Sequence, residues 1–87
     1  MTNIEWTSKA MELLESLEPD TQERIVNKLG EASEWTDHRL ESLSGYPYYK
    51  LRVGDYRVIV SWDRNADRLT VEAVGHRRNV YERHLPP

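Results

Sequence analysis

The stretch "YYKLRVGDYRVIVSW", residues 48–62, decides the reading of the fold. Apolar and polar residues alternate on both sides of Gly54 and Asp55, the pattern of two half-buried strands joined by a two-residue turn. Glycine at the first central position supplies the positive φ that a type II′ turn requires, and such a turn fixes the register. Val53 then faces Tyr56, Arg52 faces Arg57, Leu51 faces Val58, Lys50 faces Ile59 and Tyr49 faces Val60. Strand parity places Tyr49, Leu51, Val53, Tyr56, Val58, Val60 and Trp62 on one face, nearly all apolar and due to be covered. Tyr48, Lys50, Arg52, Arg57, Ile59 and Ser61 share the other, open face.

Downstream, the polar turn "DRNAD" leads into a third alternating segment, roughly Arg68 to Val74. Leu69, Val71 and Ala73 alternate there with Thr70, Glu72 and Val74, which completes an antiparallel meander. Upstream, Ile4 and Trp6 flank Glu5 as a short edge strand, and Thr7 or Ser8 can cap a helix running to about Leu17. Ala10, Leu13, Leu14 and Leu17 form its buried stripe before "EPD" stops it. Asp20 followed by Glu23 resembles a capping box, and Ile25, Val26, Leu29 and Ala32 supply the stripe of a second helix ending near Trp35. Gly30 within that helix costs about 1 kcal/mol relative to Ala. The expected order is β-α-α-β-β-β: an α+β fold in which a short N-terminal strand and a two-helix hairpin pack on the antiparallel meander, with residues 1–87 as one domain.

A chain of 87 residues encloses one modest core. There is no cysteine, so neither a disulfide nor a thiolate site is available, and the three histidines lack metal-ligand spacing. No cofactor is implied. No apolar run approaches the roughly 20 residues that cross a bilayer, and "MTNIEWTSKA" lacks the regions of a signal peptide, so a soluble cytoplasmic protein with no membrane partner is expected.

The net charge of -3 conceals an asymmetry. Residues 1–45 carry ten acidic side chains against four Lys or Arg, and residues 46–87 carry five against eight. The local field, not the total, is what a ligand meets at close range. Arg52 opposite Arg57 is unfavourable unless something compensates, because like charges repel across a strand pair. A solvated face balanced by Asp55 or Glu72 is the plain explanation. Phosphate is the sharper one: Lys50, Arg77 and Arg78 near the same rim make five cations, and Tyr46, Tyr48 and Tyr81 could stack on unpaired bases. Tyrosine at a sheet edge also packs its ring and wets its hydroxyl with no ligand at all.

"YYKLRVGDYRVIV" followed by "VGHRRNVY" resembles the RelE branch of the RelE/ParE toxins, most closely from Tyr46 to Tyr81. The resemblance implies a small RelE-like fold and a ribosome-dependent endoribonuclease that cuts messenger RNA in the ribosomal aminoacyl site. It also implies a cognate antitoxin as partner. Carried over by position, Lys50, Arg57, Arg77 and Tyr81 fall where the family has functional Lys, Arg, Arg and Tyr. Arg52 falls on a further basic position, and Tyr48 and Arg78 flank the substrate. A second lysine that some members carry is Tyr48 here, which leaves proton transfer to Tyr81 or Lys50.

The reaction so implied is attack of a ribose 2′-hydroxyl on the adjacent phosphorus, which needs a base, an acid and fixed cations for the charge that develops. Guanidinium groups suit the last task, since they stay ionised and present forked donors. His38, His76 and His84 are the three histidines, and Asp37 with His84 is the pair expected if the chain follows relatives that use a carboxylate and a C-terminal histidine. Two other readings keep the fold: a ParE-like gyrase-inhibiting toxin or catalytically inactive partner-binding homologue, and a nucleic-acid-binding domain without catalysis.

Overall fold

The computed structural model describes residues 2–34 and 36–80. At its centre the hairpin has the expected register. Strands β3 (Tyr49–Val53) and β4 (Tyr56–Asp63) pair Val53 with Tyr56, Arg52 with Arg57, Leu51 with Val58, Lys50 with Ile59 and Tyr49 with Val60. Gly54 has φ +59°, and Asp55 does not share the positive sign, as a type II′ turn demands.

Strand β5 (Arg68–His76) continues the meander, and it runs two residues beyond the expected Val74. Its alternation does not survive intact. Ile59 pairs with Ala73 and Val60 with Val71, so Glu72 is an extra residue in a bulge. The bulge changes the parity beyond it. Leu69, Val71 and Val74 all enter the main core, while Ala73, expected beside Leu69 and Val71, faces the opposite side with Ile59.

Strand β1 (Asn3–Trp6) lies at the sheet edge, as expected, and pairs in parallel with β5 from Asn3↔Arg68 to Trp6↔Val71. Thr7 caps α1 (Ser8–Glu15), its hydroxyl accepting from the Ala10 N–H at 3.0 Å. This helix stops short of Leu17, where the Ser16 hydroxyl donates to the Leu13 carbonyl at 2.6 Å. Helix α2 (Pro19–Glu34) starts at proline, which has no N–H to lose in the first turn, so Asp20 is not the cap but a first-turn carboxylate favoured by the helix dipole. Gly30 is exposed and leaves α2 unbroken. A four-residue helix, α3 (Thr36–Arg39), and a two-residue strand, β2 (Glu41–Ser42), were not expected from sequence. β2 pairs antiparallel with β3 and gives a mixed five-stranded sheet of order β1-β5-β4-β3-β2.

The main core lies between sheet and helices: Ala10, Leu14, Ile25, Leu29 and Ala32 meet Leu51, Val53, Val58, Val60, Leu69, Val71 and Val74. Val26, expected in the stripe, is 49% exposed. Ile25, Leu29 and Ala32, the other residues of that stripe, are buried as expected. On the other side of the sheet, Ile59, Ala73 and Val80 form a second buried cluster, flanked by Leu43 and Tyr48. Among the described residues, no helix is long and apolar enough to cross a membrane.

Candidate nucleic-acid interface

The tip of the β3–β4 hairpin is built by its own backbone. Arg57, half-buried on β4, donates from one guanidinium nitrogen, Nη1, to the carbonyls of Gly54 and Tyr56, each at 2.8 Å. Two of its five N–H groups are thereby directed at the turn, and the remaining three are held in a fixed orientation. Neither Asp55 nor Glu72 supplies the compensating carboxylate expected from sequence. Glu72 instead accepts from the Ser61 hydroxyl at 2.8 Å, and backbone carbonyls stabilise Arg57. Arg52 faces it from β3, exposed, and among the described residues neither guanidinium is paired to a carboxylate.

The end of β5 is fastened to the same tip. The Arg77 N–H donates to the Asp55 carbonyl at 2.8 Å, and Gly75 pairs with Arg57. The chain then turns sharply. Asn79 N–H donates to the His76 carbonyl at 2.9 Å, and Arg78 N–H to His76 Nδ1 at 3.3 Å. That bond makes Nδ1 an acceptor, and the imidazole packs edge-on against Tyr56 with centroids 5.8 Å apart. Val80 closes the turn by filling the second cluster. A β-carbon on Gly75 would stand 3.4 Å from the Val80 β-carbon, an ordinary packing contact, so Val80 lies directly over this end of β5.

Two residues outside the sequence expectations complete the electrostatics. Arg24, exposed on α2, brings its Nη2 to 2.8 Å from where a β-carbon on Gly54 would stand. Glu41, on the unforeseen β2, forms an ion pair with Lys50 at 3.6 Å, and Lys50 faces Glu41 in the β2–β3 ladder. Lys50 therefore carries its own counter-charge, whereas the Arg24 and Arg57 guanidiniums reach the turn, Arg52 lies opposite Arg57 and Arg77 is tied to the turn by its backbone, none of them with a carboxylate partner among the described residues. No local signal in the sequence singles out Arg24 from the other charged residues of α2. Only the packing of α2 against β3 does so.

The other expected site residues are distributed as follows. Tyr48 is half-buried and packs against the Ile59 cluster, Tyr46 is exposed in the loop before it, and Arg78 is exposed beside Arg77. Tyr81, His84 and the side chain of Asp37 lie outside the described residues. Among the described residues no group of His, Cys, Asp and Glu is arranged to hold a metal ion.

The model of the ParE toxin family, the toxins of the type II parDE toxin-antitoxin system, matches residues 4–81. No curated protein matches the sequence. Solved structures share the fold. The RelBE2 toxin-antitoxin complex of Mycobacterium tuberculosis contains a chain similar at TM-score 0.80 and 20% identity, over 86% of this chain and 96% of that one. The isolated RelE toxin of E. coli is similar at TM-score 0.76 and 24% identity, over 93% and 92%. The RelB-RelE complex of Methanococcus jannaschii gives TM-score 0.70 and 22% identity, over 90% and 95%.

Proposed function

The chain belongs to the ParE toxin family of type II toxin-antitoxin systems, within the RelE/ParE superfamily, and from that premise we propose that it is an endoribonuclease that cuts messenger RNA in the ribosomal A site and so inhibits translation. The observation that carries this reading is the hairpin tip. The Arg57 guanidinium is held by two turn carbonyls, the Arg77 backbone N–H is fastened to the Asp55 carbonyl of the same turn, and Arg52 stands opposite Arg57, with no carboxylate among the described residues to neutralise them. An anionic ligand satisfies that arrangement, and RNA phosphate is the anion whose chemistry it fits.

In the proposed reaction the 2′-hydroxyl loses its proton to a base and its oxygen bonds to phosphorus, while the bond from phosphorus to the 5′-oxygen breaks and an acid protonates the leaving oxygen. The products are a 2′,3′-cyclic phosphate and a 5′-hydroxyl. Arg57 and Arg77 stabilise the pentacoordinate phosphorane, where fixed donors count for most because they need no reorganisation as charge develops. Arg52, Arg78 and Tyr48 hold the flanking nucleotides, and Tyr81 or Lys50 accepts the 2′ proton. Lys50 must first exchange its ion pair with Glu41 for the substrate, which favours Tyr81 in that role.

A cognate antitoxin is the proposed partner, consistent with the toxin-antitoxin complexes among the similar structures, and the cytoplasm, where ribosomes translate, is the proposed location. An acidic or amphipathic antitoxin segment laid across the tip would satisfy the arginines and occlude them. Cleavage of messenger RNA on translating ribosomes tests the activity, with Arg77→Ala and Tyr81→Phe expected to slow it severely. Near-native rates in both variants overturn the mechanism. The match to the ParE family keeps a second reading in play, in which the chain is a ParE-like toxin and the target proposed for it is gyrase. Loss of gyrase supercoiling with no messenger-RNA cleavage would select it.

A further inference from the structure

Arg24 has no role in the α2 core, yet its guanidinium is laid against Gly54, the residue whose carbonyl Arg57 also grips. Gly54 has no side chain in the way, and its φ of +59° keeps most other residues out. Two guanidiniums from different elements thus approach the turn, Arg57 from the strand as a hydrogen-bond donor and Arg24 from the helix layer as a close neighbour of Gly54. Arg52 and the Arg77 backbone anchor stand beside them. The two guanidiniums at the turn carry like charge, and Asp55 is the sole carboxylate in the turn itself. Arg24 belongs to the helix layer on the core face of the sheet, whereas Arg57 alternates with the core residue Val58 and belongs to the opposite face, so the two guanidiniums approach the turn from different sides.

We propose that Arg24 is a substrate-positioning residue that binds a backbone phosphate next to the one at Arg57 and Arg77, so that the RNA strand bends around the hairpin tip. The assignment rests on the ribonuclease reading for the identity of the strand, and on the Arg24–Gly54 approach for the site itself. Arg24 contacts neither the attacking nor the leaving oxygen. Its loss weakens binding and leaves the chemical step of bound substrate near its native rate.

The test uses the full chain and a short 2′-O-methyl oligoribonucleotide, which keeps every phosphate and lacks the attacking hydroxyl. Affinity is measured as a function of salt for the native chain, Arg24→Gln, Arg24→Lys and, as a control, Arg39→Gln on α3. Neutralising one phosphate contact flattens the slope of log K against log salt by about 0.7 for a single strand. Arg24→Gln is expected to show that flattening with several-fold weaker binding at low salt, Arg24→Lys to keep the native slope, and Arg39→Gln to change nothing.

A native slope in Arg24→Gln overturns the proposal, whether its thermal midpoint falls, as for a mere buttress of the turn, or only its binding of an acidic peptide is lost. Absence of salt-dependent binding by the native chain overturns it as well. If Arg24→Gln flattens the slope but the native chain cuts no messenger RNA on ribosomes, the phosphate site stands and the nuclease reading alone fails. If the native chain cuts and the slope is unchanged, this proposal alone fails.

Discussion

Arg52 and Arg57 stand directly opposite each other across β3 and β4, yet only Arg57 is anchored, by two carbonyls of the turn that joins those strands. The asymmetry separates their roles. Arg57→Ala removes a pre-oriented donor and is expected to slow cleavage on ribosomes by about 10²–10³-fold, the usual loss for one fixed donor to a developing oxyanion. Arg57→Lys does little better, because an ammonium cannot hold two carbonyls and still present a fork to phosphate. Arg52→Ala is expected to weaken RNA binding modestly and to raise stability by about 0.2–1 kcal/mol through relief of like-charge repulsion. Equal effects of Arg52→Ala and Arg57→Ala on the rate would contradict this division.

Glu41 neutralises Lys50 across the β2–β3 ladder. Removing that charge with Glu41→Gln frees an ammonium on the cationic face, so affinity for a non-cleavable oligoribonucleotide should rise. The pair is largely exposed on its Glu41 side, where the carboxylate is 57% accessible. Its loss should therefore change stability by less than about 1 kcal/mol in urea unfolding. Weaker RNA binding by this variant would show that Glu41 positions Lys50 instead of masking it.

Ile59 is fully buried on the face that also carries the cations, where Ala73 and Val80 pack against it. Ile59→Ala should destabilise the chain by about 2–5 kcal/mol and release the turn that fixes Arg77. Ile59→Val, which removes one methylene, should cost about 0.5–1.5 kcal/mol and leave cleavage intact. The measurement is denaturant unfolding alongside the rate on ribosomes.

Asp67 closes the β4–β5 turn with φ +53°, and its carboxylate accepts the Thr2 hydroxyl at 2.8 Å while its carbonyl accepts the Asn3 N–H at 2.9 Å. Asparagine tolerates the left-handed region and keeps an acceptor, so Asp67→Asn should be within about 0.5 kcal/mol of native. Asp67→Ala loses the acceptor for a buried hydroxyl and strains the backbone, and should cost about 1–3 kcal/mol. Equal stability of the two variants would remove any role for the side chain.

The sequence by itself determined the hairpin, because period-two alternation around a glycine that must take positive φ leaves one register, and every pair from Val53↔Tyr56 to Tyr49↔Val60 follows. It also determined the two amphipathic helices, narrowed the first cap to Thr7 or Ser8, and placed Arg52 and Arg57 on one face, all of which depend on neighbours a few residues apart.

The tertiary structure decided what depends on contacts between distant segments. The bulge at Glu72 turns Ala73 away from the core and Val74 into it, because the ladder to β4 sets strand parity over the sequence's own alternation. The two-residue β2 that gives Lys50 its carboxylate has too few residues to show a period. The approach of Arg24 to Gly54 spans thirty positions and exists only because α2 is packed on β3, a juxtaposition that no local pattern encodes.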